Sequence, residues 1–293
     1  MKLLAKFNLI LGLVLGVGLA LATLVSYHLA QENARAEVVR QARLMMEAMS
    51  SARDYTSNEV KPLLVKQQEH LTSFLPQTVP AFAATETFAS IRAHYPDYDY
   101  KEATLNPTNL RDRASDWEAD VIQAFRNPAR KGATEIVDER ETPLGRSLYL
   151  ARPIVAAAPC LECHSTPSAA PPAMIRHYGS ANGFGWNLNE VVGAQIVSVP
   201  MTVPIKMADK AFTTLLAALA GVFLATLLLL DLVLLLAVVR PLRNLSAMAD
   251  EISIGKLDMP ELPATGKDEI SILAGSFNRM RRSLERAIKM LEG

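Results

Sequence analysis

The sequence predicts an α+β domain held between two membrane-spanning helices and followed by a parallel helical bundle. Two uncharged or nearly uncharged apolar runs are each long enough to cross a bilayer. Between them, residues 29–209 alternate between helical and strand-like apolar spacing, which favours a mixed fold with a small antiparallel sheet. After the second run, apolar side chains recur at heptad spacing.

Charge and length limit the classes of function. Thirty basic and thirty acidic side chains cancel in a chain of 293 residues. No global field therefore favours nucleic acid, and we expect no nucleic-acid partner. The length leaves room for about two domains.

The first apolar run occupies residues 7–28 and follows the basic residues Lys2 and Lys6. A signal peptide would have a shorter apolar region and a small-residue cleavage site before a polar segment. The pattern therefore favours an uncleaved helix. Gly12 and Gly16 form a G-x-x-x-G pair, which is typical of close helix packing but also common in membrane helices generally.

The second apolar run covers residues 211–239 and contains one charged residue, Asp231. The run exceeds the length of a straight span, so tilt is expected. An ionisable group in lipid usually faces a partner helix, although Asp231 also lies near enough to the end of the run to reach water. Both interpretations remain open from the sequence.

Basic residues predict the orientation of the chain in a cell membrane. Lys2 and Lys6 precede the first run, and Arg240 and Arg243 follow the second, so two crossings place all four on one side. The positive-inside rule assigns that side to the cytoplasm. We expect residues 1–6 and 240–293 to be cytoplasmic and residues 29–209 to be outside, which in a bacterium is the periplasm.

The outer segment reads as helices and short strands in alternation. A long helix is predicted over residues 30–75, and Pro62 should end or kink it. Further helices are predicted over 78–94, 116–126 and 171–178, and strands over 98–107, 134–137, 147–155 and 191–199.

The two cysteines of the chain lie in one pentapeptide, Cys160-Leu161-Glu162-Cys163-His164. A C-x-x-C-H run is typical of covalent c-type haem attachment, in which two thiols form thioethers and the histidine binds the iron. A redox disulfide and a zinc site are the alternatives, but zinc needs a second ligand pair that the sequence lacks. We therefore predict one covalently bound haem c, with Cys160, Cys163 and His164 as its site.

The segment after Arg240 predicts two helices joined by a connector. The first carries apolar residues at 242, 245, 249 and 252. The second repeats them in a 3,4 pattern typical of a coiled-coil seam, so a homodimer is expected. Its seam is Ile270, Leu273, Phe277, Met280, Leu284, Ala287 and Leu291.

This segment, residues 240–293, resembles a HAMP signal relay. The resemblance implies a parallel homodimeric four-helix bundle that passes conformational change to an output domain. The matching residues are Pro241, Gly255-x-Leu257, Asp268-Glu269-Ile270 and Phe277-Asn278-x-Met280.

The outer segment resembles the PAS-like c-type haem sensor domains first described as a domain of unknown function in bacterial signalling proteins. The resemblance implies haem on the sheet with His164 as proximal ligand, in a protein of the bacterial inner membrane. A described relative uses a distal cysteine on the first long helix, and this chain has no cysteine left for that position. The residues that carry the resemblance are 53–56, 78–82, 100–109, 151–154, 160–164, 178–179 and 183–186.

The sixth iron ligand is left open by the sequence. Met49, with Met46 as the alternative, lies on the long helix one turn before the first matching motif, and a thioether is a normal haem ligand. The other candidates are His70, His94 and His177, or an empty position suited to gas binding. Arg152 and Arg53 are the predicted partners of the haem propionates.

These features predict a haem sensor of redox state or of a diatomic gas (NO, CO or O2), which signals through HAMP to a cytoplasmic partner in trans. The alternative is a membrane-tethered electron-transfer cytochrome. An enzyme is not predicted, because no distal histidine and arginine pair suggests peroxidase chemistry.

Overall fold

The computed structural model describes residues 3–68, 73–130, 132–143, 145–256 and 258–292. It divides into two units, residues 28–210 and residues 1–27 with 211–293. The helices are α1 (Leu3–Tyr55), α2 (Lys61–Gln68), α3 (Pro80–Arg92), α4 (Asp116–Arg126), α5 (Ala158–His164), α6 (Pro172–Tyr178), α7 (Thr202–Leu234), α8 (Arg240–Ser253) and α9 (Glu269–Glu292). The strands are β1 (Asp99–Thr104), β2 (Ile136–Thr142), β3 (Gly145–Val155) and β4 (Val191–Pro200).

The unit of residues 28–210 contains one antiparallel sheet in the order β1-β4-β3-β2. Alternate residues of each strand face opposite sides of a sheet, and β4 shows this directly. Val197 and Val199 pack in one buried cluster, whereas Ala194 and Ile196 pack in another. Both faces of the sheet are therefore covered, and the predicted combination of helices with an antiparallel sheet is confirmed.

Helices from different parts of the chain cover the two faces. On one face, α1 supplies Val38, Ala42, Met46 and Met49, and α3 supplies Ala84 and Phe88. On the other face, α4 contributes Val121, Ile122 and Phe125. Residues 116–126 were predicted as a helix with the same limits, and the backbone N–H of Ser115 donates to Glu118 at its start (2.7 Å).

The long predicted helix extends further towards the N-terminus than the outer segment alone required. α1 contains both the first apolar run and the stripe of residues 38–49 that packs on the sheet. Its regular hydrogen bonding gives way to a π-helical segment at Thr56–Val60, followed by α2, which has Pro62 in its first turn. Helical backbone therefore continues through Pro62, and the irregularity lies in the turn before it, where a proline without an N–H leaves the ladder one donor short.

The strands differ from their predicted limits mainly in β1 and β2, and by one or two residues in β3 and β4. β1 stops at Thr104, because residues 105–109 turn away from the sheet towards the Cys160–His164 motif. β2 begins at Ile136 rather than Thr134 and continues to Thr142, where the turn leads into β3. The predicted helix over 78–94 is observed as α3, which starts at Pro80.

The unit of residues 1–27 and 211–293 contains the two apolar runs. The two helices that carry these runs, Leu4–Leu64 and Thr202–Ser253, are long and apolar enough to cross a membrane, judged by length and composition. Within it, the Asn8 side-chain amide donates to Asp231 at 2.9 Å. Of the two interpretations of Asp231, the structure favours contact with a partner helix, namely α1 of the same chain.

The connector between α8 and α9 is bound to α9 by polar side chains. The Asn278 amide donates to the Leu262 carbonyl (2.8 Å) and accepts from the Leu262 N–H (3.1 Å), and Arg281 donates to the Met259 carbonyl. On the predicted seam, Leu273, Met280 and Leu284 are exposed. Leu257, part of the predicted connector motif, lies outside the described residues.

A buried ion pair fastens α1 to β1. Arg53 donates to Glu102, whose side chain is 4% exposed. The Tyr100 hydroxyl donates to the other Glu102 oxygen at 2.8 Å, and Gln195 donates to that hydroxyl at 3.3 Å. Because this carboxylate is removed from water, its charge depends on these partners.

Replacing Arg53 should therefore destabilise the fold. Arg53→Ala leaves the Glu102 charge buried and unpaired, at a cost of about 3–5 kcal/mol in the free energy of unfolding. Arg40→Ala is the matched control on α1, because the Arg40 side chain is 78% exposed and, among the described residues, forms an ion pair with Glu37 alone. Its cost should stay within about 0.5 kcal/mol. Denaturant unfolding followed by circular dichroism measures both, and equal losses would contradict the role of the pair.

Candidate haem site

The Cys160–His164 motif forms the short helix α5, which follows β3 directly. Residues three apart lie on the same side of a helix, so the two cysteines face the same way. Both thiols are half-buried and neither is in a disulfide. The arrangement leaves two sulfur atoms available on one surface, as two thioether bonds to a single porphyrin require.

The ring of His164 is fixed by a backbone acceptor. Its Nδ1 lies 2.7 Å from the Gly183 carbonyl oxygen, so Nδ1 carries the proton and donates it. The Nε2 lone pair is then left for a metal, which is how neighbouring groups usually orient a ligating histidine. Trp186 stacks on the imidazole with ring centroids 4.1 Å apart.

The protonation state of His164 also suits ligation. Burial lowers the pKa of His164, and the hydrogen bond to Gly183 only partly opposes that effect. The imidazole is therefore neutral at pH 7, which is the form that binds a metal.

A loop bonded to the end of β1 holds the Gly183 carbonyl in place. The Gly183 N–H donates to Asn106 (3.2 Å), and the Asn106 amide donates to the Phe184 carbonyl (3.3 Å). The Trp186 N–H then donates to the His164 carbonyl (3.2 Å). The Asn106 and 183–186 motifs are far apart in sequence, and the structure brings them together beneath His164.

The Cys163 thiol is not activated as a thiolate. Burial raises its pKa, and the neighbouring Lys61 only partly offsets this. A nucleophilic thiol would instead have a lowered pKa. A zinc site is not supported either, since no group of three or more His, Cys, Asp or Glu side chains forms among the described residues.

The predicted sixth ligands lie in the core of the domain. Met49 is 1% exposed and Met46 is fully buried, and both pack with Phe88 and Tyr100 between α1 and the sheet. Their assignment as ligands stays a prediction. His94 and His177 are exposed. His94 has Nδ1 near the Ser90 carbonyl, and His177 meets the Tyr178 ring edge to face. His70 lies outside the described residues.

The predicted propionate partners both contact protein carboxylates. Arg53 pairs with Glu102, as described above, and Arg152 lies 2.7 Å from Glu47 and 3.4 Å from Glu135. Their propionate contacts stay a prediction.

Arg111 is a charged residue near the site that the sequence analysis did not single out. It is three positions after Thr108, whose hydroxyl lies 3.5 Å from His164 Nδ1. Its guanidinium lies 5.3 Å from the centre of the Phe82 ring and 2.6 Å from Glu86. The only signal in the sequence was its position just after the Asn106–Asn109 motif.

The residues present fit a c-type haem. Two unpaired thiols face one side of α5, and His164 presents Nε2 while its other nitrogen is bonded. Cys160, Cys163 and His164 would hold the group.

Comparison with known proteins agrees with this arrangement. Residues 31–200 match the family model described as Tll0287-like. The chain belongs to the Tll0287-like family. A HAMP domain follows, matched over residues 233–286. Both predicted resemblances, an outer sensor-type domain and HAMP, are thereby confirmed.

One relative is the methyl-accepting chemotaxis protein CtpM of Pseudomonas aeruginosa. It is 27% identical over 194 residues, which are 60% of this chain and 33% of the relative. The chain thus spans about one third of that protein. Among solved structures, the cyanobacterial haem protein Tll0287 matches 56% of this chain and 95% of its own, at 14% identity and a TM-score of 0.43.

Substitution of Gly183 should disturb the proximal histidine. Gly183 has φ +84°, and an added Cβ would come within 2.8 Å of the Thr108 Cα. Gly183→Ala must therefore move the carbonyl away from His164 Nδ1. The imidazole then becomes a poorer electron donor, so the reduction potential of the haem-loaded protein should become more positive.

Gly185→Ala is the control for this substitution. Gly185 has nearly the same φ, +83°, but nothing lies within 4 Å of its added Cβ. It should suffer the same backbone strain without a change in potential. Equal potentials for the two variants, measured by spectroelectrochemical titration, would contradict the role assigned to the Gly183 carbonyl.

Asp112 should make the stability of the domain depend on pH. The pKa of Asp112 is raised to about 6. Burial makes the largest contribution, Arg111 acts in the opposite direction, and Glu102 raises the pKa as well. The folded state therefore binds this proton more tightly than the unfolded state, and stability falls as pH rises from about 4 to 6. The effect on the free energy of unfolding is at most about 3 kcal/mol and is reduced by solvent screening, because the carboxyl is only partly buried.

Asp112→Asn keeps the side chain neutral at every pH. The variant should gain stability over the wild type between pH 4 and 6 and retain the gain at pH 7.5, as measured by denaturant unfolding across that range. Asp97→Asn, at an exposed turn, is the control and should track the wild type. A constant offset between Asp112→Asn and the wild type at all pH values would refute the raised pKa.

Proposed function

We propose that this protein is a membrane-anchored c-type haem sensor that signals through its HAMP domain to a cytoplasmic partner. The observation that carries the proposal is the hydrogen bond from His164 Nδ1 to the Gly183 carbonyl beside two unpaired cysteines. Membership of the Tll0287-like family and the HAMP domain that follows support a sensor rather than an isolated cytochrome. The chemotaxis relative points to the same general class.

Bound haem supplies an iron whose oxidation state and sixth ligand respond to redox conditions or to a diatomic gas. The contacts of the Cys160–His164 motif then determine which helices and strands would move in response. His164 is bonded through Gly183 and Asn106 to the end of β1. Lys61 of α2 lies 3.9 Å from Glu162 within the motif. The motif therefore contacts both the sheet and the helices that continue from the membrane anchor.

Two elements connect the domain to the membrane helices. α1 is one helix from Leu3 to Tyr55, and it contains the first apolar run, Met49 and Arg53. β4 ends at Pro200, and α7 begins at Thr202. A displacement of α1 against β4 would thus move the two membrane helices relative to each other. The HAMP helices would respond by changing from one packing arrangement to another.

The proposed topology follows the sequence prediction. Residues 7–28 and 211–239 cross the bacterial inner membrane, 29–209 are periplasmic, and 1–6 and 240–293 are cytoplasmic. The exposed seam residues of α9 favour a parallel homodimer, since a second copy would cover Leu273, Met280 and Leu284.

Crosslinking along this seam tests the proposal. A Met280→Cys chain, produced with cytochrome-maturation machinery in membranes, should carry covalent haem, so that only the new cysteine is free. Crosslinking by a bifunctional maleimide should differ between oxidised, reduced and nitric-oxide-treated samples. Ile272→Cys, equally exposed but off the seam, is the position control and should crosslink less.

The Met280→Cys protein that also carries Cys160→Ser and Cys163→Ser should contain no covalent haem. Its crosslinking yield should then be the same in oxidised and reduced samples. Colourless Met280→Cys protein would refute the haem assignment itself. A haem-loaded protein with identical crosslinking in all three states would instead favour the tethered electron-transfer cytochrome.

A further inference from the structure

A cleft with a different chemistry lies on the α4 side of the sheet. Its volume is about 370 Å³, and it is bounded by α4 and by strands β2 and β3. That volume is within the range of small-molecule sites. The cleft shares no lining residue with the Cys160–His164 motif or its bonded loop.

One wall of the cleft is aromatic. Trp117 and Tyr149 meet edge to face, with ring centroids 5.4 Å apart. The guanidinium of Arg140 lies 4.1 Å from the centre of the Trp117 ring. Stacking holds the charged group in place while leaving its N–H edges free to donate.

Charged side chains of both signs line the same cleft without neutralising one another. Arg140 has no ion pair with any described residue, and the same is true of Asp120 and Asp138. Asp138 accepts only the backbone N–H of Glu139, at 2.8 Å. Glu139 differs, because it pairs with Arg35 at 2.9 Å and with Arg146 at 3.8 Å. The cleft thus presents two solvent-exposed carboxylates and one guanidinium that have no ion-pair partner among the described residues.

We propose that this cleft binds a small zwitterion, an α-amino acid with an apolar side chain. Its ammonium group would be bound by Asp120 and Asp138, its carboxylate by Arg140, and its side chain by the Trp117 and Tyr149 rings. A purely cationic ligand would be repelled by Arg140, and a purely anionic one by the two carboxylates. A zwitterion satisfies both signs, and a planar guanidinium suits a carboxylate well.

The site is independent of the haem. A sensor with this cleft would receive a second chemical input on the opposite face of the sheet from Met46 and Met49. Failure of the cleft proposal leaves the haem assignment intact.

The test uses the full haem-loaded chain in detergent micelles and isothermal titration calorimetry. The probes are L-leucine, L-leucinamide, which lacks the carboxylate charge, and 4-methylpentanoate, which lacks the ammonium group. L-Leucine should bind at least about tenfold more tightly than either analogue, because each missing charged group leaves its partner unsatisfied.

Variants inside and outside the cleft show whether L-leucine binds there or elsewhere on the surface. Arg140→Gln and Asp138→Asn should each weaken L-leucine binding by about tenfold or more. Arg92→Gln and Asp97→Asn, which lie outside the cleft, are the controls and should not change it. Unaltered haem spectra and circular dichroism show that the variants are folded.

Three outcomes would overturn the proposal. They are no heat with L-leucine at millimolar concentration, binding of L-leucinamide as tight as that of L-leucine, and full L-leucine binding in folded Arg140→Gln and Asp138→Asn proteins. The second would identify an organic-cation site instead.

Discussion

The hydrogen bond from His164 to the Gly183 carbonyl is the constraint on which the site depends. A histidine at the end of a short surface helix would otherwise rotate freely and bind a metal through either nitrogen. The carbonyl removes that freedom, because a hydrogen-bonded Nδ1 leaves only the Nε2 lone pair to bind a metal. Its acceptor is in turn held by Asn106, so the loop after β1 and the loop before β4 meet at the ligand. The segment after the edge strand β1 and the segment that leads into β4 are thereby joined beneath the motif.

The sequence predicted the elements with local signals and missed those that depend on distant neighbours. The Cys160–His164 spacing and the valine-rich apolar run of β4 are local, and both were found. The Gly183 acceptor is a backbone atom nineteen positions beyond its partner, which no side-chain pattern reveals. Arg53 was assigned to a propionate because its charge was visible, whereas its observed partner Glu102 is 49 residues away. Met46 and Met49 show a further ambiguity, because a methionine stripe at helical spacing fits core packing and ligation equally well.

α1 has two kinds of contact with the domain, and they differ in strength. Along β2, Arg35 pairs with Glu139 and Arg43 with Glu135, each at 2.9 Å, and both arginines are more than half exposed. Pairs of this kind contribute about 0–1 kcal/mol and break readily. In the core, Val38 and Met46 are fully buried against the sheet, where loss of packing costs several times more. The helix is therefore loosely held at its exposed edge and firmly held along its apolar stripe.

This difference limits how α1 can move. Sliding or rotation that keeps the apolar stripe in contact requires Met46 and Met49 to settle into a second set of positions, because packed cores do not deform continuously. Methionine suits such repacking better than a β-branched residue, since its side chain is unbranched and flexible. The surface ion pairs exchange at little cost during the same movement. In the proposed sensor, a change at the motif would reach α1 as a choice between discrete packings, and repacking of the buried methionines would set that choice, whether or not one of them also binds the iron.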